Sequence, residues 1–130
     1  MAHVLVVDDL EFIQIHMVGA LRAGGHEVWT ASDGIEACKI LRSWPATVVV
    51  VDLFMPDMDG IELVRRLQRG VPELPVIGIT GATDPRLVAC LDSMRVFGAR
   101  MTLRKPLDVA ELVATVGRVL SDGFPTAGHC

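Results

Sequence analysis

The sequence predicts an α/β protein: a five-stranded parallel sheet, doubly wound, with helices on both faces. Three observations carry this. Short apolar runs recur at Val4–Val7, Val28–Ala31, Val48–Val51 and Val76–Ile79, with a less apolar one at Met101–Leu103. Runs that are apolar on both faces, as at Val4–Val7 and Val48–Val51, suit parallel strands covered by helices on each side. A stretch with helical character follows each run, and strict alternation of this kind implies a parallel sheet with right-handed crossovers.

The elements follow in order. Glu11–Ala23, after the first run, is apolar nearly all round, and Gly24-Gly25 separates it from the second run. The second helix is expected over Ile35–Arg42, with Ile35, Cys38 and Leu41 on one stripe. Asp33 and Glu36 stand at its start in capping-box spacing. The third helix is expected over Ile61–Arg69, opened by Asp59 and Glu62 in the same spacing. The fourth is expected over Pro85–Val96, where Asp84 suits the N-cap and Pro85 the first helical position. The fifth is expected over Leu107–Val119, with Val109, Leu112, Val113 and Val116 at i, i+3, i+4 and i+7. Residues 1–120 therefore read as one (βα)5 domain. Residues 121–130 carry Gly, Pro, Thr and Ser without periodicity and read as a loose tail or linker stub.

Composition excludes several classes. With 130 residues, 51% hydrophobic and 22% charged, the chain is expected to be soluble and globular. A net charge of −4 gives no global reason to expect nucleic acid or an anionic membrane as partner. Cys38, Cys90 and Cys130 make no CxxC or zinc-type spacing, which fits idle thiols in a reducing compartment. The apolar stretch before Asp8 is too short for a signal peptide, and no run approaches a membrane span. A cytoplasmic location is expected.

The polar residues that end the strands define a candidate site. Asp8 and Asp9 end the first strand, Asp52 the third and Thr80 the fourth, while Lys105 closes the fifth before Pro106. Open parallel sheets bind ligands beyond the carboxyl ends of their strands, where strand order reverses. In the order 2-1-3-4-5, the first and third strands are neighbours at that point. Asp8, Asp9 and Asp52 then share a pocket, with Thr80 and Lys105 on its rim. Two unit charges about 4 Å apart cost roughly 4 kcal/mol at an effective dielectric of about 20. A hard divalent cation offsets such repulsion, and Mg²⁺ prefers a few carboxylates with water and phosphate oxygens. Lys105 adds a positive point charge suited to a phosphoryl group. The chemistry that fits is phosphoryl transfer to Asp52 as nucleophile, the Thr80 hydroxyl donating to the phosphoryl group and Gly81 leaving backbone space beside it.

The set Asp8-Asp9, Asp52 with Pro56 and Gly60, Thr80-Gly81 and Lys105-Pro106 resembles the receiver domain of two-component response regulators, which has a flavodoxin-like fold. The resemblance covers roughly Met1 to Leu120. It implies transfer from a histidine kinase or phosphotransfer protein to Asp52, with Mg²⁺ held by Asp8, Asp9, Asp52 and the backbone carbonyl of Phe54. It implies a switch in contacts with a downstream protein target, driven by inward movement of Thr80. It also implies no enzyme activity beyond the domain's own phosphorylation and dephosphorylation. One departure stands out: the family's aromatic residue three positions before the lysine is here Thr102, and the chain has no tyrosine. The signal is then expected to leave by another route, such as ordering of the loop around Thr83–Pro85. Phe54 and Ala82 fall where the family lines the path of hydrolytic water, and an apolar Phe54 implies slow loss of the phosphoryl group.

Simpler readings compete at each residue. Asp8-Asp9 alone would be read as a cap of the first helix, and Asp57 and Asp59 as loop and cap residues. His3, His16, His26 and His129 show no ligand spacing. Trp29 and Trp44 are scattered and read as packing residues, as do Met55 and Met58. Arg65, Arg66 and Arg69 read as a solvated face. A haloacid-dehalogenase-like phosphatase needs a second aspartate where Phe54 stands, and no Walker A, GxGxxG or GxSxG motif is present. The remaining alternative is a receiver-like interaction module that ignores phosphorylation, favoured by Thr102 and opposed by the acidic set.

Overall fold

The computed structural model describes residues 2–53, 60–80, 99–104 and 107–121. Five strands, β1 (His3–Val7), β2 (Glu27–Ala31), β3 (Val48–Asp52), β4 (Val76–Thr80) and β5 (Met101–Arg104), form one sheet. All pairings are parallel, in the order β2-β1-β3-β4-β5. Four helices are described: α1 (Glu11–Ala23), α2 (Gly34–Ser43), α3 (Gly60–Gly70) and α4 (Val109–Ser121). The helix expected over Pro85–Val96 lies outside the described residues, and so do residues 122–130.

Two cores flank the sheet. On one face Leu5, Val7, Val49, Val51 and Leu53 pack with Ala37 of α2 and Leu63, Val64 and Leu67 of α3. On the other, Val4, Val6, Val48, Val50, Ile77 and Ile79 pack with Met17 and Leu21 of α1 and Leu112, Val116 and Val119 of α4. Successive strand residues point to opposite faces, so each of Val48–Val51 belongs to one core or the other, and all four are fully buried. Burying such side chains contributes on the order of 1.5 kcal/mol or more each. Over four residues this outweighs the cost, roughly several kcal/mol, of carrying one carboxylate to the edge of the core. Hence the most apolar run in the chain can end in Asp52.

Local sequence explains several helix ends and faces, and the structure corrects others. Asp33 caps α2 as expected: its Oδ1 accepts from the Glu36 backbone N–H at 2.7 Å. Glu36 reaches back to the Ser32 N–H at 3.4 Å, one residue earlier than the standard box. Of the expected stripe on α2, Cys38 and Leu41 pack against the core, and Ile35 does not. Ile35 is 48% exposed, and Gly34 and Ala37 are buried instead, because the helix sits close enough to the sheet that small residues face it. The last helix starts at Val109, not Leu107, because Asp108 stops the chain there: its Oδ1 accepts from Ala110 N–H at 2.9 Å and Glu111 N–H at 3.4 Å. That helix runs on through Ser121, which does not belong to the tail. Although α1 is apolar nearly all round, only one face is buried: Phe12 and Ile15 are 71% and 63% exposed. No described helix is long and apolar enough to cross a membrane.

Candidate metal centre

The site forms where β1 and β3 leave the sheet side by side. Val7 is paired with Ala31 of β2 and with Val51 of β3. The next residues, Asp8 and Asp52, therefore emerge at the same level from adjacent strands. Asp8 is fully buried, Asp52 is 5% exposed and Asp9 is open to solvent. One carboxylate oxygen from each lies within 4.8 Å of the others.

Each buried acid is held by its own backbone ties. The Asp8 N–H donates to Ala31 O at 3.1 Å, and Asp8 Oδ1 accepts from the Leu10 N–H at 2.9 Å. From α1, Gln14 Nε2 donates to Asp8 O at 2.5 Å and to Ala31 O at 3.0 Å. On the β3 side, Asp52 pairs with Ile79, and the Leu53 N–H donates to Ile79 O at 2.9 Å, carrying the β3–β4 ladder one step past the acid. Gly60 then folds back over this segment. Its N–H donates to Leu53 O at 3.1 Å, and a Cβ added there would meet the Asp52 carbonyl oxygen at 2.1 Å and Leu53 Cα at 2.5 Å. Only glycine permits that approach.

The capping reading of the first acids does not hold. The N-cap of α1 is Leu10, with no side-chain cap hydrogen bond; Asp8 turns toward Leu10 N–H just before the helix. Among the described residues the cluster offers three carboxylates and no nitrogen or sulfur donor, a hard, anionic set, with Asp8 and Asp52 buried and Asp9 open to solvent. This donor set fits Mg²⁺, which takes few protein carboxylates and keeps water or phosphate oxygens in its other positions.

Of the other predicted site residues, Thr80 closes β4 opposite Arg104 in backbone register. Its side chain lies outside the described residues, as do Phe54, Pro56, Gly81, Lys105 and Pro106; Asp57, Asp59, Met55, Met58, Ala82, Cys90, Cys130 and His129 lie there too. Thr102 stands in β5 opposite Gly78, half-buried. The described histidines make structural contacts. His26 Nδ1 accepts from Ala2 N–H at 3.2 Å, the His16 ring meets Phe12 edge-on, and His3 Nε2 lies 3.4 Å from Glu27 Oε2. The two tryptophans, far apart in sequence, stack with ring centroids 5.1 Å apart, and His3 stacks on Trp44. Trp44 packs in the core beside α2, as a packing residue should. Arg65, Arg66 and Arg69 are exposed, and Arg66 pairs with Glu62 at 3.2 Å.

Sequence reasoning misses Gln14. Its one signal is a polar amide inside the apolar stretch Phe12-Ile13-Gln14-Ile15. The contact of Gly60 with the Asp52 backbone depends on the chain path, which no local pattern encodes.

Comparison with known proteins shows the family. Residues 4–117 match the family model described as the response regulator receiver domain, and the chain belongs to that family. Response regulator MprA of Mycobacterium sp. (strain KMS) is 32% identical over 96% of this chain and 53% of its own length. The DNA-binding transcriptional regulator NtrC of Azospirillum brasilense is 32% identical over 97% of this chain and 26% of its own length. The chain thus spans about half or less of these relatives. Among solved structures, the receiver domain of the Francisella response regulator 1452 superposes with a TM-score of 0.85 at 26% identity, over 94% of this chain and 98% of that one.

Proposed function

We propose that this domain accepts a phosphoryl group on Asp52 from a histidine kinase or phosphotransfer protein, and that the modified domain changes its contacts with a downstream protein. The observation that carries the reading is the cluster of Asp8, Asp9 and Asp52 within 4.8 Å at the carboxyl ends of β1 and β3.

In this reading Asp8, Asp9 and Asp52, with the backbone carbonyl of Phe54, hold Mg²⁺. When bound, the ion neutralises charge on the phosphoryl oxygens and on the carboxylates around them. An Asp52 carboxylate oxygen attacks phosphorus in line with the donor. The new O–P bond forms as the N–P bond to the donor imidazole breaks, and the departing nitrogen keeps the electron pair. Lys105 supplies a fixed positive charge to the transferred group, and Thr80 donates its hydroxyl to a phosphoryl oxygen. Burial of Asp8 and Asp52 strengthens these charge interactions relative to bulk water. The product is an acyl phosphate on Asp52, and Phe54 and Ala82 occupy the sequence positions where the receiver family lines the path of hydrolytic water. By the resemblance, the apolar residues at these two positions imply slow loss of the phosphoryl group; a half-life of seconds or less in the absence of a phosphatase would contradict that part.

Incubation with Mg²⁺ and acetyl phosphate, followed by intact-mass measurement, tests the function. The expected result is a gain of one phosphoryl group, lost in Asp52→Asn and in excess EDTA. A protein that stays unmodified while remaining folded and Mg²⁺-bound would be a phosphorylation-independent interaction module instead.

A further inference from the structure

We infer that Gln14 is a positioning residue for the acidic cluster: its side-chain amide locks the backbone of Asp8 to the end of β2, and removing that lock weakens Mg²⁺ binding. The inference rests on the metal site proposed above and extends it to a residue of α1.

The chemistry of the contact is unambiguous. Both partners of the Gln14 amide are backbone carbonyl oxygens, Asp8 O at 2.5 Å and Ala31 O at 3.0 Å. Only the NH₂ end can face two acceptors, and its two hydrogens match two oxygens. The position is equally specific. The β1 pairings to β2 and β3 end at Val7, so Asp8 is the first residue beyond the ladder. Its N–H still reaches Ala31 O. Its carbonyl has left the strand pairing, and Gln14 reaches it from the first half of α1.

The electrostatics say why a tie is needed at this residue. Asp8, Asp9 and Asp52 are like charges held within 4.8 Å, and the least costly way to separate them is to turn the backbone where strand pairing stops. Asp52 is braced against this by the continued β3–β4 ladder and by Gly60. Asp8 is braced by the Leu10 N–H on its carboxylate and by Gln14 on its carbonyl. A cluster held together before the cation arrives needs less rearrangement on binding, which raises affinity. Residues that orient metal ligands in this way change metal affinity by about 10- to 100-fold when removed.

The test is calorimetric titration of the full chain with Mg²⁺ alone, comparing the unsubstituted protein, Gln14→Met and Val119→Ala. Methionine keeps the length and helix compatibility of Gln14 but has no donor. Val119→Ala loses core packing on α4, far from the acids, and controls for general destabilisation. The expected result is about tenfold weaker Mg²⁺ binding in Gln14→Met, with Val119→Ala within twofold of the unsubstituted protein. Unchanged affinity in Gln14→Met, or an equal loss in both variants, overturns the inference and leaves the metal site standing. No Mg²⁺ uptake by the unsubstituted protein overturns both. Hydrogen exchange in the unsubstituted protein gives a second check that needs no variant. The Gln14 side-chain amide protons should exchange more slowly than a free amide and slow further with Mg²⁺; exchange at the free-amide rate in both states overturns the inference.

Discussion

Gly60 and Thr115 show how single atoms decide this site and its support. A Cβ at Gly60 would sit 2.1 Å from the Asp52 carbonyl oxygen, and the backbone on both sides is fixed by hydrogen bonds, so neither partner can yield cheaply. Gly60→Ala should therefore lower unfolding free energy in urea by about 3 kcal/mol and weaken Mg²⁺ uptake as well, since the displaced segment carries Asp52. Thr115 is the opposite case. It is fully buried in α4, and its Oγ1 finds no hydrogen-bond partner among the described residues. Thr115→Val removes an unsatisfied hydroxyl at nearly constant volume, so the same urea titration should find the variant as stable or more stable by up to about 1 kcal/mol. The acids at positions 8, 9 and 52 are legible in the sequence, because an ionisable group set directly after an apolar run is costly to bury and so marks the mouth of a site. Gln14 is not legible, because its meaning depends on the ends of β1 and β2 lying side by side.

At the level of elements, buried strands announce themselves by composition, whereas helix faces and ends depend on neighbours. All five strands fall where the apolar runs stand, each within one residue at either end. On α2, periodicity favours Ile35 as an inward residue, while the close approach of helix to sheet selects Gly34 and Ala37. The last helix begins two residues after the expected Leu107, at Val109, the first residue of its apolar spacing, and Asp108 and Glu111, in the same capping spacing as Asp33 and Glu36, mark that start. Exposure of Phe12 and Ile15 on α1 is not legible, since an apolar side chain carries no mark of which face will lack a neighbour. The Asp33 cap offers a direct check of this scale. Its 2.7 Å bond satisfies one of the orphan N–H groups of α2, so Asp33→Ala should cost about 1 kcal/mol in thermal or urea unfolding while leaving Mg²⁺ affinity unchanged.

At the scale of the whole molecule, the two cores hold β1 and β3 in register, and that register brings three repelling carboxylates to one place. Folding therefore works against the charges, and a bound cation should return stability to the entire domain. Mg²⁺ at about 100 times its dissociation constant should add roughly 2.7 kcal/mol, seen as a rise in melting temperature that EDTA reverses; an identical melting curve in Mg²⁺ and EDTA would mean that the cluster binds no cation. The most direct measurement concerns the phosphoryl group itself. After reaction with acetyl phosphate in Mg²⁺, borohydride reduction of the acyl phosphate and peptide mapping would locate the modified side chain. The account predicts a single reduced aspartate at position 52, absent without Mg²⁺. A label at Asp8, Asp9 or any other acid, with Asp52 intact, would contradict it.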